Sequence, residues 1–164
     1  MSALAHAIEQ QANQARALFH RLVLVVGEPG SGKTAALHEL GRRHQWPLVN
    51  LNAALSERLL ELNAQQRRIK TAELVQSFIA EQCSDTMMLD NISILFRPEL
   101  KQNPLQVLQR AARNQTVIAA WQGALDSTGL SFAVPGHPEY LRISKAEALL
   151  VDASLTRERE AAAE

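Results

Sequence analysis

Gly27-Glu28-Pro29-Gly30-Ser31-Gly32-Lys33-Thr34, placed directly behind the apolar run Leu22-Val23-Leu24-Val25-Val26, decides the fold of this chain. The spacing is G-x-x-x-x-G-K-[ST]. It stands between a buried-strand pattern and a helical one, the setting in which the motif predicts a phosphate-binding loop. Glycines let the backbone curl so that successive N–H groups point inward at phosphate oxygens. Lys33 brings positive charge to the β- and γ-phosphates, and Thr34 offers a hydroxyl to Mg²⁺. The helix that begins here adds the positive end of its dipole. The expected nucleotide contacts are Gly27, Glu28, Pro29, Gly30, Ser31, Gly32, Lys33, Thr34 and Ala35, with ATP and Mg²⁺ as the ligands. A glycine-rich turn with a chance lysine is the alternative, and the flanking strand and helix weigh against it.

Outward from the loop, the chain alternates strands and helices. Leu4, Ile8, Ala12, Ala15, Leu18 and Phe19 recur at helical spacing, predicting a leading helix over residues 1–20. Strands are predicted at Arg21–Val26, Pro47–Leu51, Thr86–Asp90, Thr116–Trp121 and Tyr140–Ile143. Between them lie a helix over Lys33–His44, one carrying Leu55, Leu59, Leu60 and Leu62 with Asn52 as its N-cap, and one carrying Leu74, Val75, Phe78 and Ile79. Asn91–Phe96 reads as an apolar loop or short turn, and Pro104 opens a helix with Leu105, Val107 and Leu108. Gly123, Gly129, Pro135, Gly136 and Pro138 mark loops around the short apolar run Leu130–Val134. Ser144-Lys145-Ala146-Glu147 has the form of a capping box and predicts a C-terminal helix over 144–164 with a frayed tail. This alternation predicts a single α/β domain over 1–164. It is a P-loop NTPase three-layer sandwich, with a mostly parallel five-stranded sheet and helices on both faces.

Composition agrees. The chain has 164 residues, enough for one core, and its 46% hydrophobic but only 4% aromatic content suits aliphatic helix-on-sheet packing. Lys plus Arg balances Asp plus Glu at 17 each, so net charge gives no push toward nucleic acid or membrane. Cys83 is the single cysteine, which rules out an intrachain disulfide, and the five histidines show no metal-ligand spacing. No apolar stretch is long enough to cross a bilayer and the N-terminus has no leader pattern, so the expected location is cytoplasmic.

A phosphate loop needs a metal carboxylate. Asp90 ends the run Met87-Met88-Leu89, where a Walker B aspartate holds Mg²⁺; a turn or cap aspartate is the alternative. In many ATPases of the additional-strand class a glutamate follows that aspartate and activates water. Asn91 stands there instead, and an amide orients water without accepting its proton, so a general-base factor of about 10²–10⁴ is missing. Glu28 and Glu99 are the carboxylates that remain as substitutes. Gln122, at the end of the fourth strand, either reads the γ-phosphate or is simply polar where a strand meets solvent. Arg97 and Arg113 are either fingers toward a neighbouring subunit's nucleotide or solvated surface groups. Arg42-Arg43 and Arg67-Arg68-Lys70 read as solvated helix faces, since no aromatics interleave with them.

The segments VVGEPGSGKT, PLVNLNAALSERLLEL, MMLDNISILFRPELKQNPLQVLQRAARNQTVIAAWQG and PGHPEY together resemble the BrxF family, the small P-loop proteins of type 3 BREX bacteriophage-exclusion systems. The similarity runs from about residue 10 to about residue 145. Its more specific parts are Leu89-Asp90-Asn91 through Leu100 and Pro135-Gly136-His137-Pro138-Glu139-Tyr140. The resemblance implies a bacterial antiviral setting alongside a methyltransferase, a large ATPase and a phosphatase-like protein. It supports Gly27–Thr34 as the nucleotide site and Asp90 as the metal aspartate, and it supplies no catalytic glutamate. The leading expectation is an ATP-binding module, weakly or partner-stimulated in hydrolysis, that assembles with itself or with other BREX proteins. A small-molecule or nucleotide kinase is the second reading, opposed by the absence of arginine in Gly123–Tyr140 where a phosphate-clamping lid is needed. A DNA-associated AAA-like remodelling subunit is the third, with DNA contacted only through an assembly.

Overall fold

The computed structural model describes residues 1–133, 136–156 and 162. In chain order the elements are α1 (Ala3–Ala15), β1 (Leu22–Gly27), α2 (Lys33–His44), β2 (Leu48–Asn50), α3 (Leu51–Leu59), α4 (Ala64–Glu81) and β3 (Thr86–Asp90). Two 3₁₀ turns, Ser93–Phe96 and Pro98–Leu100, lead into α5 (Pro104–Ala111). Then follow β4 (Thr116–Asp126), β5 (Gly129–Phe132), β6 (Leu141–Ile143) and β7 (Leu149–Asp152). The parallel strands lie in the order β2-β3-β4-β1-β7, and β5 and β6 extend β4 as an antiparallel hairpin. β4 therefore separates the loop-bearing strand β1 from β3, which ends in Asp90. This is the P-loop α/β fold that the sequence predicts.

Both ladder sides of β1 are occupied, by β4 from Leu22↔Val117 to Gly27↔Gln122 and by β7 from Val23↔Leu149 to Val26↔Asp152. All six β1 residues are buried, and alternation divides their side chains between two cores. Val23 and Val25 join Ile8, Ala12, Leu37 and Leu40 under α1 and α2. Leu22, Leu24 and Val26 join Leu55, Val75, Ile79, Leu108 and Trp121 under α3, α4 and α5. Burying one such aliphatic side chain contributes roughly 1.5–3 kcal/mol.

Two neighbouring sequence expectations, over 140–143 and from Ser144 onward, are corrected. No helix begins at Ser144; Leu149–Asp152 is a strand, and it supplies the fifth parallel member of the sheet. The physical reason lies in β1: a fully buried strand cannot leave the N–H and C=O groups of one edge unpaired. Leu149-Leu150-Val151 fills that edge, with Leu149 and Val151 on the α1–α2 side and Leu150 against the other core. Most of the expected frayed tail, including 157–161, falls outside the described residues. The last strand expected at Tyr140–Ile143 is present as Leu141–Ile143, but it pairs antiparallel with β5 and is followed by a further strand, β7.

The hairpin folds tightly at one glycine. A Cβ at Gly123 would collide with the Ser131 carbonyl oxygen, so β4 and β5 approach as only glycine allows. Beside it Trp121 is fully buried, its indole N–H donating to the Ser131 carbonyl at 3.0 Å, with the rings of Phe96 and Phe132 packed around it. Among the described residues no helix is long and apolar enough to cross a membrane.

Candidate functional site

The candidate site forms where β1 and β3 end and α2 begins. Gly30 and Gly32 hold φ of 80° and 94°, a left-handed backbone that costs glycine nothing. Gly32 is the residue before α2, whose first turn has no side-chain cap, so its N–H groups are left to a ligand. Gly27 is glycine for a different reason: a Cβ there would meet the Ser31 side chain and Ala153.

Lys33 folds back over the loop. Its ammonium donates to the Gly27 carbonyl at 2.6 Å, the Glu28 carbonyl at 2.8 Å and Ser31 Oγ at 3.2 Å. Burial pushes its pKa below the ordinary lysine value, with the negative charges of Asp90 and Glu28 pulling the other way. The next residue links the two halves of the site: Thr34 Oγ1 donates to Asp90 Oδ2 at 2.8 Å. The other carboxylate oxygen, Asp90 Oδ1, accepts from the Asn91 N–H at 2.9 Å. Residues fifty-six positions apart in sequence thus put a hydroxyl and a carboxylate side by side.

That donor set fits Mg²⁺. It is all oxygen and supplies few protein ligands, as suits an ion that keeps waters and takes phosphate oxygens. Among the described residues no group of three or more His, Cys, Asp or Glu gathers, so no competing all-protein metal cage is present there. A pocket of about 350 Å³ adjoins the loop, lined by Gly30, Gly32, Ala35, Ala36, Leu4 and Ala153, with Ser2 and Glu39 at its polar side. Ser2, Leu4, Glu39 and Ala153 carry no signal in the sequence that associates them with the loop. Only the packing of α1 on α2 and the strand pairing of β7 bring them there, with Ser2 N–H donating to Glu39 Oε1 at 2.9 Å.

The remaining expected residues divide. Gln122 is exposed and stands in register beside Gly27, at the edge of the loop. Asn91 is exposed and adjoins Asp90 with φ of 50°. Glu28 is exposed within the loop. Arg97 and Glu99 are not brought to the loop; they line a separate cavity of about 180 Å³ with Ser56, Leu59, Arg67 and Leu100. Arg113 sits three residues before β4, at the opposite end of the strands from the loop, its guanidinium 5.5 Å from the centre of the Phe19 ring. Neither arginine reaches this chain's own nucleotide site. Asn52, expected as a cap, is displaced from that role by Asn50, whose side chain accepts from the Ala53 N–H at 3.1 Å. Asn52 instead bonds to the segment that follows Asp90.

No protein-family model and no curated protein matches this chain. Solved structures similar to it include the following two. C. elegans PCH-2 has 22% sequence identity and a TM-score of 0.38, over 92% of this chain and 38% of that one. AMPPCP-bound DnaA from Aquifex aeolicus has 15% identity and a TM-score of 0.45, over 97% of this chain and 50% of that one. The chain spans half or less of the length of these two. Its own strand order and glycine loop define a P-loop NTPase fold.

Proposed function

We propose that this chain binds ATP with Mg²⁺, hydrolyses it slowly or only when a partner stimulates it, and serves as a nucleotide-gated assembly component of a BREX-like bacterial antiphage system. The observation that carries the nucleotide reading is the 2.8 Å contact between Thr34 and Asp90, beside a lysine aimed into the glycine loop. Lys33 and the loop N–H groups take the phosphates, Thr34 and Asp90 hold the metal, and Gln122, in register beside Gly27, reads the terminal phosphate. Base and ribose go to the pocket beside Leu4, Ala35 and Ala153. Bound Mg²⁺ would neutralise charge on the β- and γ-phosphates. Slow turnover follows from Asn91, which cannot take a proton from water. The antiphage setting rests on the resemblance to the BrxF family, and the partners it brings are a second copy of the chain or other proteins of that system.

The test measures ATP affinity, native mass and phosphate release together, with Mg²⁺, for the wild type, Lys33→Ala and Asp90→Ala. Expected are binding by the wild type, loss with Lys33→Ala, loss of the Mg²⁺-dependent part with Asp90→Ala, and a mass distribution that shifts with ATP. Absence of nucleotide binding by the wild type overturns the reading. An unchanged mass distribution with binding intact overturns the gating part alone.

A further inference from the structure

Asn52 stands at the second position of α3, where asparagine is a poor helix former and the cap is already supplied by Asn50. Its polar groups are turned to another segment. The Asn52 N–H donates to the Asn91 carbonyl at 2.8 Å. Asn52 Oδ1 accepts from the Ile94 N–H at 2.9 Å, and Asn52 Nδ2 donates to Ser93 Oγ at 2.8 Å. One residue therefore fixes three positions of the segment 91–94, two of them 41 and 42 residues away along the chain. That segment is the immediate continuation of Asp90. Asn91, which Asn52 grips by its carbonyl, uses its own N–H to hold Asp90 Oδ1, leaving Oδ2 toward Thr34.

We infer that Asn52 is a positioning residue for the metal carboxylate: it fixes the Asn91–Ile94 segment so that Asp90 presents one oxygen to the Thr34 side of the site. This rests on the reading of Asp90 as the Mg²⁺ carboxylate. The 91–94 segment has few other anchors that are polar, because Ile92, Ile94 and Leu95 pack into the core and fix depth rather than rotation. Hydrogen bonds are directional, and a carboxylate rotated away from its metal loses the bond. Partners of this outer kind commonly change metal affinity about 10–100-fold.

ATP binding by calorimetry, with Mg²⁺ and separately with EDTA, tests the inference on the full chain. Asn52→Ala keeps the backbone bond to Asn91 and removes the two side-chain bonds. Expected is about a 10-fold weaker Mg²⁺-dependent affinity, at the low end of that range, with binding in EDTA within about twofold of wild type. Asn52→Asp keeps an acceptor for Ile94 N–H, and the Ser93 hydroxyl can donate to its second oxygen, so it recovers most of the loss. Ser93→Ala, which removes a single hydrogen bond and keeps the fold, gives a smaller loss confined to the Mg²⁺ condition. Equal losses with and without Mg²⁺ overturn the inference, as does an Asn52→Asp as impaired as Asn52→Ala, or wild-type behaviour of both Asn52→Ala and Ser93→Ala. A wild-type chain that gains nothing from Mg²⁺ overturns the reading of Asp90 itself, and the inference with it.

Discussion

Replacing Asn91 by glutamate puts a carboxylate able to accept a proton from water directly after Asp90, and the backbone sets its cost. Asn91 has φ of 50° and is exposed, so its substitution loses no packing and the conformational term stands nearly alone. The left-handed region costs an ordinary L-residue about 1–2 kcal/mol, and asparagine is among the few that enter it readily. The difference expected for Asn91→Glu is about 1 kcal/mol of lost stability. In a domain of this size that is a fall in Tm of about 2–4 °C. Thermal unfolding without nucleotide or Mg²⁺ reads it free of ligand effects. Because glutamate also places a second negative charge beside Asp90, Asn91→Gln isolates the backbone: it carries the same left-handed penalty and no charge. Asn91→Gly removes the steric cost but loosens the unfolded chain, and it should remain close to wild type. A Gln variant as stable as wild type, with only Glu destabilised, refutes the conformational argument and assigns the loss to charge. If both fall together, asparagine is there because the turn after Asp90 requires it, and the missing carboxylate is a consequence of the local fold.

Gly123→Ala should cost about 2–3 kcal/mol, since the new methyl meets the Ser131 carbonyl and backbone must move. The same shift breaks the Trp121 indole bond, so a red-shifted Trp121 emission in a Trp46→Phe background accompanies the lower Tm, and an unmoved spectrum refutes the linkage. Glu9 accepts from His44 Nε2 at 2.6 Å, tying α1 to α2, and that hydrogen bond holds its pKa below the ordinary 4.5. Its folded pKa being lower, the unfolded chain binds more protons in the window between the two values. The stabilisation is therefore complete above pH 4.5 and disappears as pH falls through the folded value. Glu9→Gln should flatten that acid limb of the stability curve, and an identical limb in both proteins refutes the assignment.

What could be read from the sequence follows from how local each signal is. The glycine loop, β1, α2 and β3 were legible almost to the residue, because a motif and an apolar run are contiguous features. The Ser144–Glu147 capping box misled because S-x-x-E is also what a bend of that composition looks like, and nothing local states that β1 lacks a neighbour on one side. Asn50 and Asn52 show the same limit on a smaller scale. Either can cap a helix; which one does depends on whether the other has something better to bond, and Ser93 and Ile94 lie forty residues downstream. The pairing of Thr34 with Asp90 was an inference from two separate strand ends. It became geometry only through the order of β1, β4 and β3.

The Lys33 ammonium and the Thr34 hydroxyl already have partners within the chain, and this shapes how the site must bind. Three oxygens of the chain share the Lys33 ammonium, and the Thr34 hydroxyl proton is spent on Asp90. On the proposed reading, Lys33 would give up the first set for phosphate oxygens, and Thr34 and Asp90 would give up their mutual hydrogen bond to hold Mg²⁺. The net affinity is a difference between two sets of charge-assisted contacts, so it is smaller than either set alone. The same exchange keeps Lys33, Thr34 and Asp90 close to their working positions without ligand, which lowers the ordering cost of binding. On the proposed reading, a reduced net affinity with little reorganisation would favour repeated loading and release, and because Asn91 cannot take a proton from water, release without hydrolysis would be a route out of the bound state. Under the proposed gating role, a chain that works by such exchange would respond to the surrounding ATP and Mg²⁺ concentrations, whereas a hydrolytic motor responds to its own turnover.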